Sequence, residues 1–166
     1  LGRAILLGNS VNTDQIISGE FVRRDDYAGY LFKKFREDIN QLVKSKEISG
    51  SIIVAGRNFG SGSSRERAAT GLMKVGLNAV VARSYNPIWE RNAVNCGLRT
   101  YRFKNQLEHT ISDGNDLEIS ADEKTLLDKT TKKSYALMGT PQFITDIWQA
   151  GGLVETLKQK RPRSGR

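Results

Sequence analysis

Two uninterrupted apolar runs constrain this chain most. Residues 51–55 read Ser-Ile-Ile-Val-Ala, and residues 78–82 read Asn-Ala-Val-Val-Ala. Neither alternates polar with apolar, so each reads as a strand buried on both faces, as in a parallel sheet covered by helices. A glycine-rich turn at 58–66 lies between them and leads into a helical period. Ala68 and Leu72 share a face there, as do Ala69 and Met73, and Gly76 is a natural stop, so a helix is expected over 64–75. Asn86-Pro87 marks the next helix start, with Asn as cap and Pro at the first helical position. That helix is expected to bury Ile88, Trp89 and Val94 and to end before Gly97. A strand over 3–7 comes before this block and one over 98–103 closes it. Strand, helix, strand, helix, strand predicts a parallel sheet with helices against it.

The second half changes character. Residues 116–120, 125–128 and 134–138 read as short strands separated by polar turns, an antiparallel β unit. Pro141 opens a last helix whose apolar face is Phe143, Ile144, Ile147 and Trp148, and Gly151-Gly152 ends or interrupts it. Residues 18–40 fit neither period and read as a long loop with a short helix near 31–35. The expected fold class is α/β: a mostly parallel sheet, flanking helices and a short antiparallel β extension. One domain is expected over 1–157, with a basic, disordered tail over 158–166.

With 166 residues there is enough chain for one domain with a proper core. No apolar run reaches transmembrane length, and no signal-peptide core opens the chain, so a membrane is not expected as a partner. The first residue is Leu1 and not Met, which leaves a trimmed start, or organelle import with processing, open. The single cysteine, Cys96, points to a reducing compartment, and a cytoplasmic location is expected. It is too few for an iron–sulfur cluster on this chain. His109 is the only histidine, so a self-sufficient zinc site and a Ser-His-Asp triad are both poorly supplied. Net charge is +8, but Lys158, Lys160, Arg161, Arg163 and Arg166 supply five of it. Charge concentrated in a tail is commonly a solvated end, so nucleic acid is not the expected partner. Cys96, Trp89 and Trp148 are expected in the core and His109 in solvent.

The turn itself, Asn58-Phe59-Gly60-Ser61-Gly62-Ser63-Ser64-Arg65-Glu66, carries the chemistry. It has two glycines of the dinucleotide fingerprint but not the third, and it lacks both the Gly-Lys-Ser/Thr end of a P-loop and the G-x-S-x-G elbow. What remains is an anion cradle. Gly60 and Gly62 let backbone N–H groups converge, Ser63 and Ser64 add hydroxyl donors, and the fork of Arg65 suits a carboxylate. The bland alternative is a helix cap by Ser63 or Ser64 with Glu66 in the first turn.

Taken with Asn12-Thr13-Asp14-Gln15-Ile16-Ile17 upstream, this turn resembles the aconitase swivel-domain family. The closest form is the free-standing one, the small subunit of 3-isopropylmalate dehydratases. Ala79-Val80-Val81-Ala82-Arg83-Ser84-Tyr85, Ile88, Arg91-Asn92, Asn95-Cys96-Gly97-Leu98 and the ending Ala150-Gly151-Gly152-Leu153-Val154-Glu155 extend the likeness over nearly the whole chain, in family order.

The resemblance implies a hydro-lyase that isomerises a hydroxy dicarboxylic or tricarboxylic acid by removing water and adding it back the other way round. A large subunit would carry a 4Fe-4S cluster, and this chain would complete the site from the other side. By resemblance, Ser63 matches the general base, Ser64 and Arg65 match ligands of a substrate carboxylate, Asp14 matches an acidic residue that orients this group, and Thr13 supports it. Glu66 would position backbone. Many members have His where Arg67 stands, and Arg67 is expected to act from behind the site. Ser61 stands where relatives often have Cys. The loop Phe21-Val22-Arg23-Arg24 would read the distal end of the substrate: Arg23 suits a second carboxylate, as in homoaconitate, while Phe21 and Val22 suit an isopropyl group. Isopropylmalate is the favoured substrate, with homoaconitate and a smaller dialkylmalate as alternatives. A binding module that holds an anion or RNA without catalysis is the reading from another class.

Overall fold

The computed structural model describes residues 1–105 and 110–160. Four parallel strands form its centre: β1 (Gly2–Leu6), β2 (Ile52–Ala55), β3 (Ala79–Ala82) and β4 (Arg99–Arg102). Three antiparallel strands, β5 (Asp116–Ile119), β6 (Thr125–Asp128) and β7 (Lys133–Ala136), continue from the free edge of β1. The sheet order is β4-β3-β2-β1-β5-β6-β7. The helices, in chain order, are α1 (Thr13–Ile16), α2 (Glu37–Lys44), α3 (Arg67–Lys74), α4 (Pro87–Asn95), α5 (Gln142–Ala150) and α6 (Leu153–Lys160).

Because β1 to β4 are added in sequence on one side, right-handed crossovers put their helices on one face. The packing follows. Ile5, Ile53, Ala55, Val80 and Ala82 join one apolar cluster with Ala68 and Leu72 of α3 and Trp89 and Ala93 of α4. The alternate residues, Ala4, Ile52, Val54, Ala79 and Val81, join a second cluster with Leu117, Leu126, Tyr135 and Trp148. Both clusters draw on β1, β2 and β3, while β4 gives Tyr101 to the second alone, so the apolar runs at 52–55 and 79–82 have no polar position to spare. Truncating Ile53, which has no exposure, to Ala would cost about 2–5 kcal/mol. An antiparallel bridge between Phe103 and Leu137 ties the chain after β4 to the chain after β7, so the sheet curls towards closure over the second cluster.

The sequence expectations fail at several places for physical reasons. Residues 18–40 are not all loop: α2 begins at Glu37, and a 3-10 turn covers Tyr27–Tyr30 instead of a helix near 31–35. Buried Asn40 interrupts the apolar stripe of α2; its Nδ2 donates to Gly29 O at 3.0 Å and Leu31 O at 2.8 Å. The first helix of the sheet block starts at Arg67, not at residue 64. Ile88 and Phe143 are 43% and 64% exposed, so neither packs as expected, whereas Trp89 and Trp148 are buried. Cys96 is half-buried at the edge of the first cluster. Gly151, at a φ of 86°, interrupts the last helix, and α6 then runs past Leu157 to Lys160. His109 and residues 161–166 of the basic tail lie outside the described residues.

Candidate active site

The parallel strands do not part cleanly at their carboxyl ends. Beyond β1, β2 and β3 the three chains pair again: Gly60 N donates to Val11 O and Thr13 N to Ser61 O, each at 2.8 Å, and Phe59 N donates to Ser84 O at 3.0 Å. Parallel bridges join Asn12 to Ser61 and Phe59 to Tyr85. This second tier carries the turn outward, past the carboxyl ends of the strands, where parallel α/β sheets place ligands.

Packing fixes the turn from below. Phe59 is fully buried, edge-on to Trp89 with centroids 4.8 Å apart, and Trp89 stacks on Tyr85 at 5.6 Å. Gly60 sits at a φ of 79°, and a Cβ there would fall 2.2 Å from Trp89 Cγ. Only glycine meets both demands. Gly62, at 96°, lies over Thr13, whose Oγ1 would be 3.3 Å from an added Cβ. On the other side, Asn12 and Gln15 form a capping box at the start of α1. Asn12 Oδ1 accepts from Gln15 N at 2.9 Å, and Gln15 Oε1 accepts from Asn12 N at 2.8 Å.

The cap alternative for the two serines fails. The residue capping α3 is Glu66, in helical conformation and without a side-chain cap bond. Arg65 N donates to Ser63 O at 2.8 Å, closing a three-residue turn that holds Ser63 and Ser64 off the helix. Both serines are exposed, and neither hydroxyl is bonded among the described residues. The N–H groups of Gly62, Ser63 and Ser64 likewise have no acceptor among the described residues. Three consecutive free donors with two free hydroxyls give the turn the hydrogen bonds an anion would need.

Arg65 borders this site and is itself held. Its Nη1 donates to Asp14 Oδ1 and, at 3.3 Å, to Ile17 O. Asp14 is exposed on α1, which the capping box and the Thr13–Ser61 bond fix against the turn. Thr13 is 1% exposed and lies beneath Gly62; its Oγ1 is buried without a hydrogen-bond partner among the described residues. Ser61 Oγ donates to Ser10 O at 3.3 Å.

The loop after α1 folds back beside Arg65. A Cβ on Gly19 would lie 3.4 Å from Arg65 Nη2. Phe21 is 9% exposed and stacks on Tyr30 with centroids 4.5 Å apart, so its ring is spent on packing. Val22 is half-buried. Arg23 is exposed and has no hydrogen bond or ion pair among the described residues, whereas Arg24 pairs with Asp26. The structure thus gathers Asp14, Thr13, Gly60, Gly62, Ser63, Ser64 and Arg65 in one place, with the segment bearing Arg23 alongside. The sequence reading did not find the contact of Arg65 with the Ile17 carbonyl, and no residue type signals a backbone acceptor. The capping box Asn12-x-x-Gln15 was also missed, although its spacing is a signal the sequence carries, and it fixes the start of the helix that bears Asp14.

The family of aconitase C-terminal domains matches residues 24–106. The 3-isopropylmalate dehydratase small subunit 1 of Archaeoglobus fulgidus is 37% identical over 99% of this chain and 100% of its own length. The chain belongs to the family of 3-isopropylmalate dehydratase small subunits. The isopropylmalate/citramalate isomerase small subunit of Methanocaldococcus jannaschii is 34% identical over 98% of this chain and 96% of its own length. A crystal structure of 3-isopropylmalate dehydratase from the same organism superposes with a TM-score of 0.84 at 35% identity, covering 96% of this chain and 93% of that one.

Aconitase-type chemistry implies an iron–sulfur cluster, and clusters are held by several cysteine thiolates. This small subunit has Cys96 alone. Its Sγ donates to Ala93 O at 3.2 Å, and burial pushes the thiol up, away from the thiolate a metal needs. No group of three His, Cys, Asp or Glu among the described residues could hold a metal ion. The residues of this chain therefore do not fit such a cluster. No helix among the described residues is long and apolar enough to cross a membrane.

Proposed function

We propose that this chain acts as the small subunit of a hydro-lyase that interconverts 3-isopropylmalate and 2-isopropylmalate by dehydration and rehydration. The observation that carries the reading is the set of free donors at Gly62, Ser63 and Ser64 beside the Asp14–Arg65 pair. Dehydration next to a carboxylate needs a base at the carbon that loses its proton and fixed positive charge where the carboxylate gains electron density. Ser63, as an alkoxide favoured by neighbouring N–H groups, takes that proton. Ser64 and the Arg65 fork hold the carboxylate, and Asp14 keeps the fork in place. The names of the relatives support both the substrate and the need for a large subunit. That partner is proposed to carry the 4Fe-4S cluster, in a reducing, cytoplasmic setting.

A second substrate, citramalate, is favoured by the name of the Methanocaldococcus relative. Exposed Arg23 keeps homoaconitate, with its extra carboxylate, in view. The test is turnover of the anaerobically assembled two-chain enzyme with isopropylmalate, citramalate, homoaconitate and dimethylmalate, following absorbance of the unsaturated intermediate. Isopropylmalate is expected to be turned over fastest. Preference for any other acid would reassign the substrate, and no turnover by a complex with an intact cluster would favour the anion-binding module.

A further inference from the structure

Arg67, the first residue of α3, makes two bonds from a single nitrogen. Its Nη1 donates to Val22 O at 2.6 Å and to Arg24 O at 2.9 Å. Those are the carbonyls on either side of Arg23. The guanidinium lies over the Tyr27 ring, 4.7 Å from its centroid. Tyr27 is 3% exposed and is itself tied to α3, with its hydroxyl 2.8 Å from Thr70 Oγ1. Two residues earlier, Arg65 holds Ile17 O. Segment 17–24 is thus gripped at its start by the arginine of the cradle and at its end by Arg67. Within the segment, the exposed Arg23 guanidinium has no hydrogen bond or ion pair among the described residues.

From this geometry we infer that Arg67 is a positioning residue for Arg23, fixing the distance from Arg23 to the Ser63–Arg65 cradle and so the length and polarity of the acid the site accepts. The inference rests on the dehydratase reading above and deepens it. Two carbonyl bonds and a stacked ring restrain the backbone on both sides of one side chain, so little of Arg23's positioning is left to be achieved on binding. Lysine could reach one carbonyl but cannot stack as a plane on Tyr27 while doing so.

A double-mutant cycle in the assembled enzyme tests this with Arg67→Met, Arg23→Met and both together, with Arg67→Lys as the conservative variant. Arg67→Met is expected to raise KM about tenfold with kcat within about twofold, and Arg67→Lys to recover part of the loss. In the Arg23→Met background the same change should move KM less than about twofold, because the residue it positions is gone. An unchanged KM in Arg67→Met, or an equal effect in both backgrounds, overturns the inference. If Arg67→Met fails to fold, Arg67→Lys takes its place in the cycle under the same criteria. The wild-type complex is the control for the dehydratase reading. Should it be inactive, trypsin cleavage after Arg23 and Arg24 in the free chain still reads the restraint, with cleavage after Lys129 as reference. Faster cleavage at 23–24 relative to Lys129 in Arg67→Met is expected, and an unchanged ratio overturns the restraint.

Discussion

Asp14 and Arg65 are 51 residues apart in sequence and form an ion pair at the rim of the serine turn. Asp14 reaches Arg65 from a four-residue helix fixed by its own capping box, and Arg65 leads into α3. The pair therefore spans the chain beyond β1 and the chain beyond β2. On the function proposed above it would orient the Arg65 cation for the substrate, and it does little for folding, since the Asp14 side chain is 63% exposed.

Asp14→Asn should separate these two roles. Folding stability is expected to change by less than about 1 kcal/mol, the range of exposed ion pairs. Activity with the large subunit should fall about 10- to 100-fold in kcat/KM, because a loosened guanidinium no longer meets the carboxylate in register. Steady-state kinetics beside a urea titration checks both. A large loss of stability with unchanged kcat/KM would assign the pair to the fold instead.

Gly60→Ala should damage the fold before the chemistry. The new methyl meets the Trp89 ring, which is 2% exposed and wedged between Phe59 and Tyr85, and the backbone there has positive φ. Overpacking and left-handed strain together predict a loss of about 2–4 kcal/mol, read as a lowered urea midpoint with unchanged slope.

Asp128 gives the β extension a dependence on pH. Its side chain is buried in β6 and accepts from Asn115 Nδ2 at 2.7 Å and from Thr131 N at 2.9 Å. Burial pulls its carboxyl up, but these N–H donors outweigh it and hold the group below the ordinary aspartate value of 3.8. A depressed folded-state value means the carboxylate stabilises the fold above the ordinary value, and that contribution is lost as pH falls below it. Unfolding titrations between pH 5 and about pH 2 should show Asp128→Asn losing less stability on acidification than the wild type. Parallel curves would remove Asp128 as the source.

Much of this architecture was legible because its signals are local. The runs at 52–55 and 79–82 admit little but two-sided burial, and Asn86-Pro87 announced α4, whose cap accepts from Ile88 N and Trp89 N as expected. What was missed depends on distant partners. Asn40 satisfies carbonyls of a preceding turn and so breaks the apolar stripe that would have revealed α2. The Ser63–Arg65 turn delays α3 by three residues, against the helical pattern of its flanks. In the site, glycines and serines advertised an anion cradle, but the two carbonyls held by Arg67 carry no mark in the sequence.

The most direct test of the central claim is Ser63→Ala, assembled with the large subunit and assayed for dehydration of isopropylmalate and for exchange of the substrate's carbon-bound hydrogen with solvent. Ser63 is exposed and its hydroxyl makes no bond among the described residues, so folding and assembly should be unchanged. The account predicts that both turnover and exchange fall by at least about a hundredfold, the range expected when a positioned base is removed. Near-normal turnover or exchange in a fully assembled Ser63→Ala complex would contradict it.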